Sequence, residues 1–434
     1  MLAFLGLSMV VVFTYLIMAK RLSPIVALVV VPVIFSIIAG FALTTDKMML
    51  DGIKMVAPSA ALLLFAILFF GVLFDAGLFD PMIKMILKAV NGNPVKIALG
   101  TAILSLTTAL DGDGTTTYMI TCAAMLPLYK RIRMNPMILA SICVLSLSVM
   151  GGMTPWGGPA TRVIAVLGLD AAEFFIPLLP TMAAGASGVL YVAYVLGRRE
   201  RRRIGVMTLS SGGDDCYIDS IIGHGEHKKP GRVVPNLILV LTVMVCLVTG
   251  LLNSVVSFLL GFVVALVMNY PRLDLQKERM LAHAANAMVV VLLVFAAGVF
   301  AGIFSGTKMV DAIAQLMVHI IPPSWGHLFP LVVAVTSMPL TFLLSNDAYY
   351  FGVVPILAHA AAAYGISPME IARASVLGQP VHQISPLVAS TLLLVGMIDR
   401  DLGDFQRATI KWAVVLSLLM TIASLLTGAI TLFT

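Results

Sequence analysis

Charge is what this sequence has least of. Asp, Glu, Lys and Arg together make 11% of its 434 residues, where a soluble chain carries about a quarter. That deficit excludes a water-soluble globular protein, and 60% hydrophobic residues with a mean hydropathy of +1.04 point to the bilayer. Cysteine is scarce too. Four thiols (Cys122, Cys143, Cys216, Cys246) share no metal or disulfide spacing, and three lie in apolar runs where a small buried side chain is the ordinary reading. The 26 methionines are scattered through apolar segments, as core filling rather than a copper site. No polar segment is long enough for the output domain of a sensor, and no constellation suggests bond chemistry. The expectation is a non-enzyme.

What the chain does have is apolar runs of roughly 20 residues, enough to cross a bilayer as helices. They predict an all-α polytopic membrane protein. Spans read as 2–19, 24–43 and 57–77, then a shorter helix at 80–91, two apolar arms around Asp113, a broken helix at 136–169 and a span at 173–197. The first run has no basic leader and no A-x-A-like site, so it reads as a span rather than a removable signal peptide. A polar stretch, 198–233, opens on RRERRR and continues with SSGGDDC and GHGEHKKPGR; Gly, Ser and charge make it a loop without a core. Then the order returns: 234–251, 254–270, 282–305, a shorter helix at 308–321, arms around Asp347, a broken helix at 368–398 and a span at 408–432. GVLFDAGLF at 71–79 is echoed by GVFAGIF at 298–304. The chain therefore reads as two matching halves.

Each arm has about 15–17 residues, short for a full crossing at roughly 1.5 Å per residue, so the arms read as re-entrant hairpins. Each half then makes an odd number of crossings, and the two repeats are inverted, an arrangement transporters use to bring broken helices together at the midplane. With 198–233 in the cytoplasm, 22 of the 27 Lys and Arg residues fall on the cytoplasmic side. The positive-inside rule expects this. It explains the +6 charge without nucleic acid or another acidic partner, and it puts both termini outside.

The polar residues inside these apolar runs are the candidates for function. The first tip is Asp111-Gly112-Asp113-Gly114-Thr115-Thr116, the second Ser345-Asn346-Asp347. A carboxylate at membrane depth costs several kcal/mol unless a partner or a cavity receives it. Asp113 and Asp347 are candidate proton carriers, and Asp111, Asp113 and Asp347 candidate metal contacts; an N-cap is the plainer alternative. The breaks, Thr154-Pro155-Trp156-Gly157-Gly158-Pro159 and Gln379-Pro380-Val381-His382-Gln383-Ile384-Ser385-Pro386, free backbone groups that must be buried or line a cavity. Arg162 and Arg373 are the cations at depth, and a guanidinium fork suits a carboxylate-bearing substrate, with snorkelling the alternative for Arg373. The substrate-binding set is therefore Thr115, Thr116, Gly157, Gly158, Arg162, Ser345, Asn346, Arg373, Gln379, His382 and Ser385. Asp75 and Asp80 at a helix end read as solvated, and His283 reads as interhelical glue.

The run LDGDGTTTYMITCAAMLPLYKR, with TPWGGPATR at 154–162 and SND and GQPVHQISP further on, resembles the citrate–metal–proton symporter family (CitMHS) of the ion transporter superfamily, over the whole chain. The resemblance implies import of citrate complexed with a divalent cation of the Mg²⁺ or Ca²⁺ class, driven by protons, with no resident cofactor. It also implies a homodimer in the bacterial inner membrane and an elevator-type motion. Residues 1–92 and 234–322 would then be scaffold, 93–199 and 323–434 transport elements, and 200–233 a cytoplasmic loop. Sodium–dicarboxylate relatives carry Ser-Asn-Thr at both tips. Asp-Gly-Asp and Ser-Asn-Asp here argue against sodium coupling, though a sodium-coupled di- or tricarboxylate transporter and an inorganic-anion or cation–proton exchanger of the same superfamily stay open.

Overall fold

The computed structural model describes residues 1–90, 92–205, 229–320 and 323–431. Cys216 and the SSGGDDC stretch lie outside the described residues, as does most of GHGEHKKPGR. Among the described residues the protein is helical throughout, without strands.

The first half runs α1 (Leu2–Met18), α2 (Pro24–Ile38), α3 (Thr45–Asp75), α4 (Asp80–Val90), α5 (Pro94–Thr108), α6 (Gly114–Arg131), α7 (Pro136–Met153), α8 (Gly158–Leu167), α9 (Ala171–Phe175) and α10 (Leu179–Ile204). The second runs α11 (Val233–Thr249), α12 (Ser254–Asn269), α13 (Leu273–Gly306), α14 (Met309–Ile320), α15 (Phe329–Leu343), a π-helical stretch (Ala348–Val353), α16 (Val354–Ala362), α17 (Pro368–Ser375), α18 (Gln379–His382), α19 (Ala389–Met397) and α20 (Leu402–Leu426). Among the described residues, seven helical segments are long and apolar enough to cross a membrane.

Three departures from the sequence reading have physical causes. α3 and α13 begin well before the expected spans, at Thr45 and Leu273, and reach 31 and 34 residues. Their polar first turns carry Asp46 and Asp274, which complement a helix N-terminus, and Pro58 is absorbed inside α3. The basic run expected in a loop is helical as far as Ile204: Glu200 is buried, accepting hydrogen bonds from Asn135 N and from Arg203. Finally, 368–398 is interrupted twice rather than once.

The core of the fold is the crossing of α3 and α13, which form the most extensive helix pair. Glycines permit it. A Cβ at Gly52 would strike the main-chain oxygen of Gly298, and one at Gly302 would strike the main-chain oxygen of Met48. In a membrane such close backbone approach replaces the hydrophobic drive that lipid removes. Gly302→Ala must therefore push the two helices apart, costing about 1–3 kcal/mol by overpacking. A lower melting temperature in detergent checks it, with Gly396→Ala, where the added methyl meets open space, unchanged. At the polar end of this pair Asp75 is not solvated as expected. It accepts from His283 Nε2 at 2.8 Å and from Arg279 Nη1 at 3.2 Å, so His283 does bridge helices. Asn236 and Asn269 exchange two buried amide hydrogen bonds between α11 and α12.

Candidate functional site

Each tip is held by the break of its own half. In the first, α5 tightens into a 3₁₀ turn, Ala109–Asp111, and the chain reverses at Gly112 with φ +80°. Only glycine takes that backbone cheaply, and a Cβ there would also come within 3.1 Å of Gly157 Cα. Asp111 accepts the Asp113 amide at 2.9 Å. Asp113 caps α6, accepting from Thr116 N at 2.7 Å and Thr116 Oγ1 at 2.6 Å. Thr115, at the start of α6, is exposed. From the break, Trp156 Nε1 donates to Leu110 O at 2.6 Å. The Trp156 ring packs on Phe70 of α3 and Phe258 of α12, with centroids 5.5 and 5.0 Å away, which ties tip and break to the long helices.

The second tip divides these tasks differently. Ser345 Oγ, not Asp347, accepts the Ala348 amide, at 3.2 Å. The π-helical stretch begins there, a wider turn often found at functional sites. Gln379 Nε2 donates to Asn346 Oδ1 at 3.2 Å and to Tyr350 OH at 2.8 Å. His382 Nδ1 sits 2.6 Å from Thr341 O, and Ser385 Oγ donates to Phe342 O at 2.7 Å. Carbonyls freed by the interruption find side-chain donors: Gln383 O accepts from Thr391 and Ile384 O from Gln406. Irregular backbone at membrane depth needs such partners.

Across the two halves, Arg162 of α8 reaches the second tip. Its Nε donates to Asp347 Oδ1 at 2.7 Å, while Nη1 donates to Gly158 O at 2.7 Å. Both side chains are largely withdrawn from solvent, 20% and 14% exposed. Gly152 at the end of α7 lies against Gln379, a Cβ there coming within 3.2 Å of the glutamine Cβ. Gly157, Gly158, Arg162, Ser345, Asn346, Asp347 and Gln379 thus lie in two breaks that meet at a tip.

Other candidates sit elsewhere or take plainer roles. Arg373 donates to the carbonyls of Glu173, Phe174 and Ala429, which fastens α17 to α9 and to the end of the chain. Asp111, Asp113 and Asp347 do not assemble into a ligand cluster; no group of three or more His, Cys, Asp or Glu positioned for a metal occurs among the described residues. Tyr350 was not signalled in the sequence, since an aromatic in an apolar arm reads as core. Its hydroxyl donates to Ser375 O at 3.2 Å and orients Gln379.

A citrate transporter family model, CitMHS, matches residues 13–378. The chain belongs to this family. Three full-length relatives from Bacillus subtilis (strain 168) agree. An uncharacterized transporter, YraO, is 59% identical over 100% of both chains. A citrate transporter is 54% identical over 99% of this chain and all of its own. A Mg²⁺/citrate complex secondary transporter is 48% identical over 100% of both. The Alcanivorax borkumensis YdaH transporter shares the fold at a TM-score of 0.57, with 12% identity over 90% of this chain and 89% of its own. The protein is thus a multi-pass membrane transporter of the CitMHS family and not an enzyme.

Proposed function

We propose that this transporter imports citrate complexed with a divalent metal ion together with protons, by an elevator-type motion in the cytoplasmic membrane. The observation that carries the reading is the Arg162–Asp347 pair between a break and a tip. A guanidinium committed to one carboxylate can exchange it for another. Protonation of Asp347 releases Arg162 to a citrate carboxylate, so proton and substrate are taken up together. Citrate supplies most of the metal's oxygen ligands, so a full protein cage is unnecessary; Asp111 or Asp113 completes the contact. Asn346 and Gln379, already bonded to each other, and the Thr115 and Thr116 hydroxyls supply further hydrogen bonds.

The relatives' names support citrate and its magnesium complex as the substrate class. An elevator motion requires the Trp156 ring to leave its contacts with Phe70 and Phe258 as the tips and breaks move. The inverted repeat, the homodimer and both termini outside complete the proposal.

Proteoliposomes loaded at neutral pH and given an acidic exterior should accumulate citrate only with Mg²⁺, Ca²⁺ or a similar hard cation present. Uptake indifferent to the cation would sink the metal-complex reading. Uptake indifferent to the pH gradient would sink proton coupling.

A further inference from the structure

Helices α10 and α20 run antiparallel and pack along their length. Gly188 lets them close up, since a Cβ there would strike the side chains of Leu416 and Leu419. Thr181 and Ser424 share a buried hydrogen bond at 2.9 Å further along. At the basic end of α10 the pair carries cations instead. Arg199 of α10 and Lys411 of α20 converge on one indole, with Arg199 Cζ 5.7 Å and Lys411 Nζ 5.5 Å from the centroid of the Trp412 ring. Each contact is favourable by itself. Two cations brought to one ring nonetheless repel each other, and an anion between them reverses the sign. The carboxylates these helices own are engaged elsewhere: Glu200, the one acid of α10, by Arg203, and Asp404, the one acid of α20, by Arg407.

Away from the cations the same surface turns apolar. Val415, Leu419 and Ile422 of α20 are exposed, and they continue the face of half-buried Trp412 at helical spacing. On α10, exposed Tyr191 and Tyr194 lie two turns and one turn before exposed Arg198 on one face. Amphipathic aromatics of this kind sit where hydrocarbon gives way to headgroups. Across the bilayer the order is therefore apolar stripe, aromatic, cation. A phospholipid has the complementary order of acyl chain, glycerol and phosphate. The cation end is also fixed in place: buried Glu200 accepts from Arg203 and from Asn135 N at the start of α7, which keeps the last turns of α10 helical.

We propose that the face shared by α10 and α20 seats an anionic phospholipid, with its phosphate between Arg199 and Lys411 and its acyl chains along the apolar stripe of α20. The occupant is a lipid rather than free phosphate because the stripe and the cations form one continuous surface open to the bilayer. A lipid phosphate there joins the two helices through a bridge that neither supplies itself. Basic clusters beside membrane helices attract anionic headgroups at about fivefold per cation. The seat is independent of which substrate is carried and of what drives it.

The test titrates the purified full-length transporter, in a neutral detergent, with dioleoylphosphatidylglycerol, dioleoylphosphatidylcholine or inorganic phosphate, and reads the melting temperature. Phosphatidylglycerol should raise it, and the other two at the same concentrations should not. Arg199→Gln/Lys411→Gln should need roughly tenfold or more phosphatidylglycerol for the same rise. Lys411→Gln alone, a change on one exposed side chain, should need about threefold or more, which keeps the test open if the double variant folds poorly. Arg272→Gln/Lys277→Gln removes the same charge from exposed positions around the start of α13 and should titrate as wild type. Equal losses in the two double variants would overturn the seat, because mean surface charge would then account for the effect. A wild type that responds to phosphatidylcholine or to inorganic phosphate as strongly as to phosphatidylglycerol would overturn it too, and so would a Lys411→Gln variant that titrates as wild type.

Discussion

Asp347→Asn should give a folded transporter that exchanges citrate across the membrane but cannot concentrate it against a gradient. Asparagine has nearly the shape of aspartate and still accepts a hydrogen bond from Arg162, so the geometry around the 2.7 Å contact survives. The titratable charge does not. Arg162 would then face a neutral partner at every pH, and pH would no longer decide when it turns to substrate. Arg162→Gln should fail in the opposite way. It leaves Asp347 without its cation in a region 14% exposed, and removing one partner of a buried charge pair costs about 2–5 kcal/mol. Half-saturation for metal–citrate should rise by roughly 30-fold or more as well, because the substrate carboxylate loses its own charged partner, at about 2 kcal/mol or more. The double variant Arg162→Gln/Asp347→Asn checks that the two act as a pair: its melting temperature should be no lower than that of Arg162→Gln alone, because no orphaned charge remains. Wild-type accumulation by Asp347→Asn, with unchanged half-saturation in Arg162→Gln, would show that the pair merely pins α8 to the second tip.

That pair shows where sequence reading stops. Asp347 and Arg162 could each be picked out as charges in apolar surroundings, because the cost of burying charge is local. Their meeting could not, since 185 positions separate them and only the packing of α8 against the π-helical stretch joins them. The sequence places Arg373 beside Arg162 in the substrate-binding set, with snorkelling its alternative, yet it satisfies three carbonyls. A helix-borne arginine reads the same whether its partner is a carboxylate or main chain. Spans, tips and breaks were legible for the same reason the charges were: Gly, Pro and Asp inside an apolar run break a pattern. The long first turns of α3 and α13 were not, since polar residues outside the hydrocarbon fit helix and loop alike.

Asp113→Asn should abolish proton-driven uptake while leaving the melting temperature almost unchanged. Asp113→Ala should abolish uptake and also lower stability by about 1 kcal/mol. The two substitutions separate roles that coincide in one side chain. As a cap, Asp113 accepts from Thr116 N and Thr116 Oγ1, and asparagine caps about as well, so the capping role predicts that Asp113→Asn works like wild type. A coupling role needs a group that gains and loses a proton, which asparagine cannot do. Asp113→Asn with wild-type accumulation, beside an unstable Asp113→Ala, would make this residue a cap and nothing more. The second tip gives the physical reason to expect otherwise. There the cap is a serine, Ser345, and the aspartate is reserved for the arginine. A tip can thus be closed without a carboxylate, and the charge that the first tip keeps at Asp113 is not explained by closure alone.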